Sequence, residues 1–285
     1  MNFASYLELT KPRITWLILM STAIGFLFGA RAGEASWTWL QLLHTVLGTA
    51  LIASGTAALN QWLERDADAQ MNRTKGRPIP SGRVTASHAA RFGVILSIAG
   101  FVELWLGANI LTGILGAVTL LAYLFVYTPL KRRSPHSTTV GAIPGAMPPL
   151  IGYAAASGHL TAEAWILYAI LFLWQFPHFY AIAWMYRDDY ARAGIRMLPV
   201  VEPDGESTAR RMLLFSLVLI PVSALPRFTG MAGNLYLAGA LLLGATFLFA
   251  GVRAVMDMSR HRARQVLLAS VVYLPLLYGL LVVGR

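Results

Sequence analysis

Residues 60–83 read NQWLERDADAQMNRTKGRPIPSGR. Three acids (Glu64, Asp66, Asp68) and five bases (Arg65, Arg73, Lys75, Arg77, Arg83) crowd into a chain that is 56% hydrophobic. Asn60, Glu64 and Asp68 are spaced i, i+4, i+8. On a helix this spacing puts one amide and two carboxylates on a single stripe, about 6 Å of rise apart. Two carboxylates about 6 Å apart repel by roughly 3 kcal/mol at an effective dielectric near 20, so a cation between them turns that cost into binding energy. Hard oxygen donors followed by bases suit Mg²⁺ held against a phosphate, and the arginines suit an anion with several oxygens.

The rest of the chain says where this stretch sits. Only 13% of the 285 residues are charged, against about 25% in soluble domains, so the chain reads as a membrane protein. It has no cysteine, which excludes disulfides, thiolate metal sites and cysteine nucleophiles. Its net charge of +10 reflects membrane topology and does not call for a nucleic-acid partner. Apolar runs predict about nine spanning helices near 14–30, 39–62, 92–108, 111–128, 139–156, 163–186, 212–226, 233–252 and 266–283. The fold class is therefore an all-α polytopic bundle surrounded by membrane lipid, and residues 1–285 read as a single intramembrane domain. With the N-terminus inside, twenty of the 23 bases fall on inner segments, and Arg31, Arg227 and Arg285 stay outside. That asymmetry predicts a cytoplasmic N-terminus, with the acid–base stretch on the cytoplasmic face. The first apolar run is long enough to span and no small-residue cleavage site follows it, which points to a multi-pass bacterial inner (plasma) membrane protein.

A short internal repeat lies under this topology. Trp62-Leu63-Glu64-Arg65-Asp66 and Trp184-Met185-Tyr186-Arg187-Asp188 are offset by 122 residues and end the second and sixth spans. Each is followed by a polar loop closing on a proline step, at Pro78–Pro80 and Pro199. The bundle is thus expected to comprise two pseudo-repeats of four helices plus one, with the site between the repeats.

Other polar groups inside the grease are fewer. The acids resist reading as a solvated helix end: they oppose the macrodipole at a helix C-terminus, and Asn60 carries their stripe into the membrane, where polar groups are costly. Asp189 lies 11 residues after His178, close to three helical turns, which predicts that both share a face. His178 follows Pro177, which is expected to kink the sixth span. His178 suits hydrogen bonding within the bundle, contact with an aromatic substrate, or ligation of a bound iron. Lys131, Arg132 and Arg133 serve topology and lipid headgroups or, with Arg73, Lys75 and Arg77, a phosphate. Glu103 is an intramembrane acid with its partner open, and His44 and His159 read as structural. The run GAIPGAMPPLIG at 141–152 is expected to bend the fifth span and admit close helix approach.

With these motifs in order, the chain resembles the UbiA-type intramembrane prenyltransferase superfamily along nearly its whole length. Asn60, Glu64 and Asp68 match its N-x-x-x-D-x-x-x-D motif with Glu in the middle place. Within the superfamily it is similar to the heme-farnesylating branch. The stretches 64–78, 177–190 and 194–200 carry this, and Lys131–Arg133 with 145–149 adds support. One departure stands out: where other members place D-x-x-x-D in the second motif, the repeat register puts Tyr186 and Tyr190 here, with the acids shifted to Asp188 and Asp189. The resemblance implies transfer of a farnesyl group from farnesyl diphosphate to a vinyl group of heme b, giving heme O, with Mg²⁺ as cofactor. It implies that Asn60, Glu64 and Asp68, with Asp188 or Asp189, hold the metal. Arg73, Lys75, Arg77, Lys131 and Arg132 then bind diphosphate, Tyr186 and Trp184 steady cationic charge, and His178 contacts heme. Downstream heme-maturation enzymes or a second copy are the further partners it suggests. Rival readings are the same chemistry on a quinone precursor or other acceptor, a transporter of a phosphorylated or lipidic anion, and a heme-binding assembly protein without catalysis.

Overall fold

The computed structural model describes residues 3–33 and 37–284, and among them every regular element is helical. Arg285, counted above with the outer charges, lies outside the described residues. The chain opens on a short α1 (Phe3–Leu9), then α2 (Pro12–Ala32) and α3 (Trp39–Leu63). A six-residue α4 (Arg65–Gln70) follows, then α5 (Ala86–Gly107) and α6 (Ile110–Leu130). Next come two half-helices, α7 (Ser137–Gly145) and α8 (Pro148–Ser157), then α9 (Ala162–Met185) and the short α10 (Arg187–Arg192) and α11 (Leu198–Val201). The chain ends in α12 (Glu206–Phe228), α13 (Asn234–Met256) and α14 (Arg260–Val283). Eight of these (α2, α3, α5, α6, α9, α12, α13 and α14) are long and apolar enough to cross a membrane.

The ninth expected segment is present but broken. Pro148 opens α8, and Ala146 and Met147 separate it from α7. A proline supplies no N–H to a preceding carbonyl, so it starts a helix more readily than it continues one. Pro177, by contrast, sits inside an unbroken α9. Helices α5, α12 and α14 begin earlier than their apolar runs, at residues 86, 206 and 260. Thr85 and Ser259 cap α5 and α14 by accepting from His88 N and Arg262 N, so polar first turns precede the apolar stretch.

Close backbone contact, rather than large side chains, joins several helices. A Cβ added at Gly25 of α2 would fall on the carbonyl oxygen of Pro149, and one at Gly152 of α8 on that of Thr22. In a membrane, where lipid tails match the side chains in polarity, such contact is what drives helix association. α9 runs through the centre and touches α2, α7, α8, α12 and α14. Its buried Phe176 and Tyr180 anchor the main apolar core, together with Tyr236 of α13 and Tyr273 of α14. Ile98, Leu106, Phe125, Leu242 and Phe249 form an exposed apolar belt, the surface that lipid covers.

The repeat is real in the backbone. α3 ends at Leu63 and α4 runs Arg65–Gln70; α9 ends at Met185 and α10 runs Arg187–Arg192. Every boundary is offset by 122 residues. The break falls on Glu64 in one copy (φ −96°, ψ 7°) and on Tyr186 in the other (φ −118°, ψ 21°). The two loops that follow are packed on each other, Ala67 and Met71 against Ala183, Tyr190, Ile195 and Met197. The acids therefore do not crowd a helix C-terminus as the sequence suggested. Asp66 and Asp68 lie in the first turn of α4, where the macrodipole favours negative charge.

Candidate active site

The end of the bundle that carries α4 and α10 opens into a cavity of about 490 Å³. Its rim is polar: Lys11, Asn60, Glu64, Asp68, Arg73, Arg77 and Lys131. Its deeper wall is apolar, with Leu17 and Ile18 from α2, Leu171 and Trp174 from α9, and Leu274 from α14. A second cavity of about 390 Å³ lies between Phe28, Arg31, Glu163 and Met231 and contains none of the motif residues.

The expected stripe of Asn60, Glu64 and Asp68 holds across the helix break, because Glu64 N–H donates to Asn60 O (2.9 Å) and Asp68 N–H to Glu64 O (2.8 Å). Each carboxylate meets a base. Lys131 Nζ donates to Glu64 Oε1 at 2.8 Å and to Oε2 at 3.1 Å. Arg77 donates to both oxygens of the fully buried Asp68, at 2.8 and 2.7 Å. Asn60 is buried at the junction. Its Nδ2 donates to Glu64 (2.9 Å) and Thr128 (3.3 Å), while its Oδ1 accepts from Lys11 Nζ at 3.3 Å.

Burial works to raise the Glu64 carboxyl, but Lys131, together with Lys11 and the Asn60 hydrogen bond, outweighs it and the net direction is down. Burial lowers Lys131, and Glu64 in turn holds it well above the ordinary lysine value. Lys11 has no such partner. Burial, with the Arg77 charge added, brings it down to about 7.

Two features of the backbone deliver these bases. The last turns of α6, Ala122–Tyr127, are π-helical, and π turns cluster at functional sites. They turn Tyr123 and Tyr127 to the cavity and set Lys131 just below, its ammonium 4.5 Å from the Tyr127 ring centre. Lys11 is the only described non-glycine residue with positive φ (49°). That left-handed turn costs about 1–2 kcal/mol, and Lys11 there reaches the Asn60 side chain.

The second repeat contributes differently. Asp189 is buried, but its oxygens are taken by Arg73 N–H (3.1 Å) and by the Arg192 guanidinium. The Arg73 guanidinium lies 4.8 Å from the Tyr186 ring centre and 5.7 Å from that of Tyr190, and donates to Tyr190 Oη at 3.1 Å. The Tyr186 face is thus already in contact with a cation. The Trp184 ring likewise carries Arg187, at 4.3 Å. Asp188, Lys75 and Arg132 are exposed and do not line the cavity. The spacing predicts His178 and Asp189 on one helical face; in the structure His178 lines the cavity and Asp189 does not, its oxygens turned to Arg73 N–H and Arg192.

His178 lines the cavity, stacked on Trp174 with ring centres 4.7 Å apart. Its Nδ1 meets Ser270 Oγ at 2.8 Å, and the single hydroxyl proton of Ser270 is directed to Leu267 O at 2.6 Å. With the Ser270 proton on Leu267 O, Nδ1 is the donor and Nε2 keeps its lone pair. Glu103 has its partner in His44, at 2.7 Å. Among the described residues no group of three or more His, Asp and Glu is gathered at one point. The oxygen donors are instead distributed along the rim.

Sequence reasoning passed over Lys11, Tyr127, Thr128 and Trp174. The first was absorbed by the topology signal, and the others lie in apolar runs without a motif.

Comparison with known proteins places this arrangement. A sequence model of the UbiA prenyltransferase family matches residues 18–274. A protoheme IX farnesyltransferase from Solibacter usitatus is 64% identical over 98% of each chain. Among solved structures, a digeranylgeranylglyceryl phosphate synthase shares the fold with a TM-score of 0.80 at 20% identity, over 99% of this chain and 97% of that one. A UbiA homologue from Archaeoglobus fulgidus bound to GPP and Mg²⁺ shares it at 0.66 and 15% identity, over 98% and 99%.

Proposed function

The chain belongs to the UbiA prenyltransferase family, in the branch formed by the protoheme IX farnesyltransferases, and on that premise we propose that it transfers a farnesyl group from farnesyl diphosphate to a vinyl group of heme b. The observation that carries this reading is the single cavity joining a rim of acids and bases to an apolar chamber with an imidazole on its wall.

The rim suits a diphosphate. Lys131, Arg77 and Arg73 offer three cations to the leaving group, Lys11 adds a fourth when protonated, and together they stabilise charge as it accumulates there. Mg²⁺ fits the donor set: Asn60 Oδ1 and the carboxylates of Glu64 and Asp68 are hard oxygens on one wall, and Mg²⁺ commonly takes one or two carboxylates with phosphate oxygens. When bound, the ion supplies Lewis-acid polarisation of the diphosphate. Asp189 orients Arg73 through its N–H.

The apolar chamber takes the isoprenyl chain and keeps water from the reacting carbon. The C–O bond breaks with its electron pair leaving on the diphosphate, and the allylic cation is attacked by the vinyl π-bond. Water captures the resulting cation and loses a proton, which leaves a hydroxyethylfarnesyl group. Trp174, stacked on His178, and Tyr127, beside the Lys131 ammonium, bring aromatic rings to the chamber. His178 offers Nε2 to the heme, its tautomer fixed by Ser270. The charge asymmetry of the loops supports a cytoplasmic N-terminus and rim, and a bacterial inner membrane location.

The test is mass spectrometry of heme after purified protein is incubated with heme b, farnesyl diphosphate and Mg²⁺. Heme gaining one farnesyl group and one hydroxyl group is expected, and none with Glu64→Gln. Unmodified heme alongside prenylated 4-hydroxybenzoate would move the activity to a quinone precursor. No covalent product with either acceptor would favour a transporter.

A further inference from the structure

The two repeats match in backbone but not in chemistry. Tyr186 N–H donates to Ile182 O (3.1 Å) and Tyr190 N–H to Tyr186 O (3.0 Å), the same bonds that Glu64 and Asp68 make one repeat earlier. Tyr186 therefore occupies the position of Glu64, and Tyr190 that of Asp68. On the first wall those positions carry carboxylates. On the second they carry two phenol rings, and a guanidinium lies over both.

That guanidinium is well fixed. Arg73 is held at its backbone by Asp189 Oδ2 and at its tip by Tyr190 Oη. The acids shifted into this region do not line the cavity as Glu64 and Asp68 do: Asp189 turns to Arg73 N–H and the Arg192 guanidinium, and Asp188 points to solvent with 85% of its side chain exposed. The guanidinium and the Tyr190 ring line the cavity that Glu64 and Asp68 face, and Tyr186 backs the guanidinium from outside that lining. A planar fork on an aromatic platform suits phosphate oxygens, and among the described residues this wall brings no carboxylate to the cavity for a second divalent ion.

We infer that the second wall holds the diphosphate with the Arg73 guanidinium in the place where the first wall uses a metal ion, so that one divalent ion, not two, accompanies each bound diphosphate. Tyr186 and Tyr190 are then positioning residues for Arg73. The inference rests on the diphosphate reading above and on the Asn60–Glu64–Asp68 metal assignment.

The test is equilibrium titration of Mn²⁺, read by electron paramagnetic resonance, into the detergent-solubilised full chain saturated with farnesyl thiolodiphosphate, an unreactive substrate analogue. One bound Mn²⁺ per bound analogue is expected. Arg73→Gln should weaken analogue binding by at least about tenfold while the manganese count stays at one. Retention of that one ion shows that the variant is folded. Tyr186→Leu/Tyr190→Leu should weaken analogue binding in the same direction, and Tyr190→Phe, which keeps the ring face, should weaken it less. Two Mn²⁺ per analogue in the wild-type chain, or unchanged analogue affinity in Arg73→Gln, would overturn the inference and leave the farnesyl-transfer reading standing. Analogue bound without manganese would overturn the metal assignment and this inference together. Failure to bind the analogue at all would overturn the diphosphate reading itself.

Discussion

Asp68 has no exposed surface, and both its oxygens are answered by one guanidinium. Removing Arg77 alone strands a buried carboxylate, whereas removing both partners leaves an apolar site, and the two outcomes differ in sign of difficulty. Arg77→Met is expected to destabilise the detergent-solubilised protein by about 2–3 kcal/mol, below the about 3–5 kcal/mol of a fully buried pair because Arg77 is 24% exposed. Arg77→Met/Asp68→Leu should recover most of the loss, within about 1 kcal/mol of wild type. Thermal unfolding midpoints of the three proteins check this, and a double variant no more stable than the single one would mean that Asp68 draws its solvation elsewhere. At this scale the sequence was legible where residue type and spacing coincide, as at Glu64 and Asp68. It was silent on Lys11, because a base at a membrane edge is what topology alone predicts. It gave the Tyr186 ring to cationic charge without showing that Arg73 is the cation beside it, because only the fold brings Arg73 over it.

At the scale of elements, two interruptions do most of the positioning: the break between α7 and α8, and the π turns of α6. The first was visible in the sequence as a cluster of Gly and Pro. The second was not, because π turns are stabilised by what packs around them and no residue type announces them. Hydropathy located the long helices and stopped at the apolar boundary, so the polar first turns of α5, α12 and α14 were missed. The α2–α8 crossing gives a direct prediction. Gly25→Ala puts a methyl group into the Pro149 carbonyl, two backbones that cannot move aside, and should destabilise by about 3 kcal/mol or more. Gly279→Ala in α14 meets nothing within 4 Å and should be neutral or stabilising by up to about 1 kcal/mol. Folded yield and thermal midpoint of the two variants measure the contrast, and equal effects would show that α2 and α8 do not pack backbone to backbone.

For the whole molecule, charge asymmetry predicts which end meets the cytoplasm, and the absence of cysteine makes the prediction clean to test. Lys75→Cys and Arg132→Cys, both exposed at the rim, should react with a membrane-impermeant thiol reagent only in inverted vesicles. His159→Cys, between α8 and α9, should react in intact cells. The reverse pattern would invert the topology. The bundle and its repeat were legible because membrane spanning restricts the chain to a few patterns, each with a strong signature. The pairing of the rim was not, because sequence shows charges without showing which of them meet. That pairing has a kinetic meaning. Glu64, Asp68 and Asp189 each rest against a base tethered to the same chain. On the proposed reading, a lone divalent ion must displace the Lys131 ammonium or the Arg77 guanidinium to reach Glu64 or Asp68, and a lone polyanion must displace those carboxylates to engage the same two bases. Arriving together, the two give each charge a new partner of the right sign. On that reading, loading at Glu64 and Asp68 is an exchange of partners rather than the filling of a vacancy. Release of the ion and the pyrophosphate as a unit restores the original pairs.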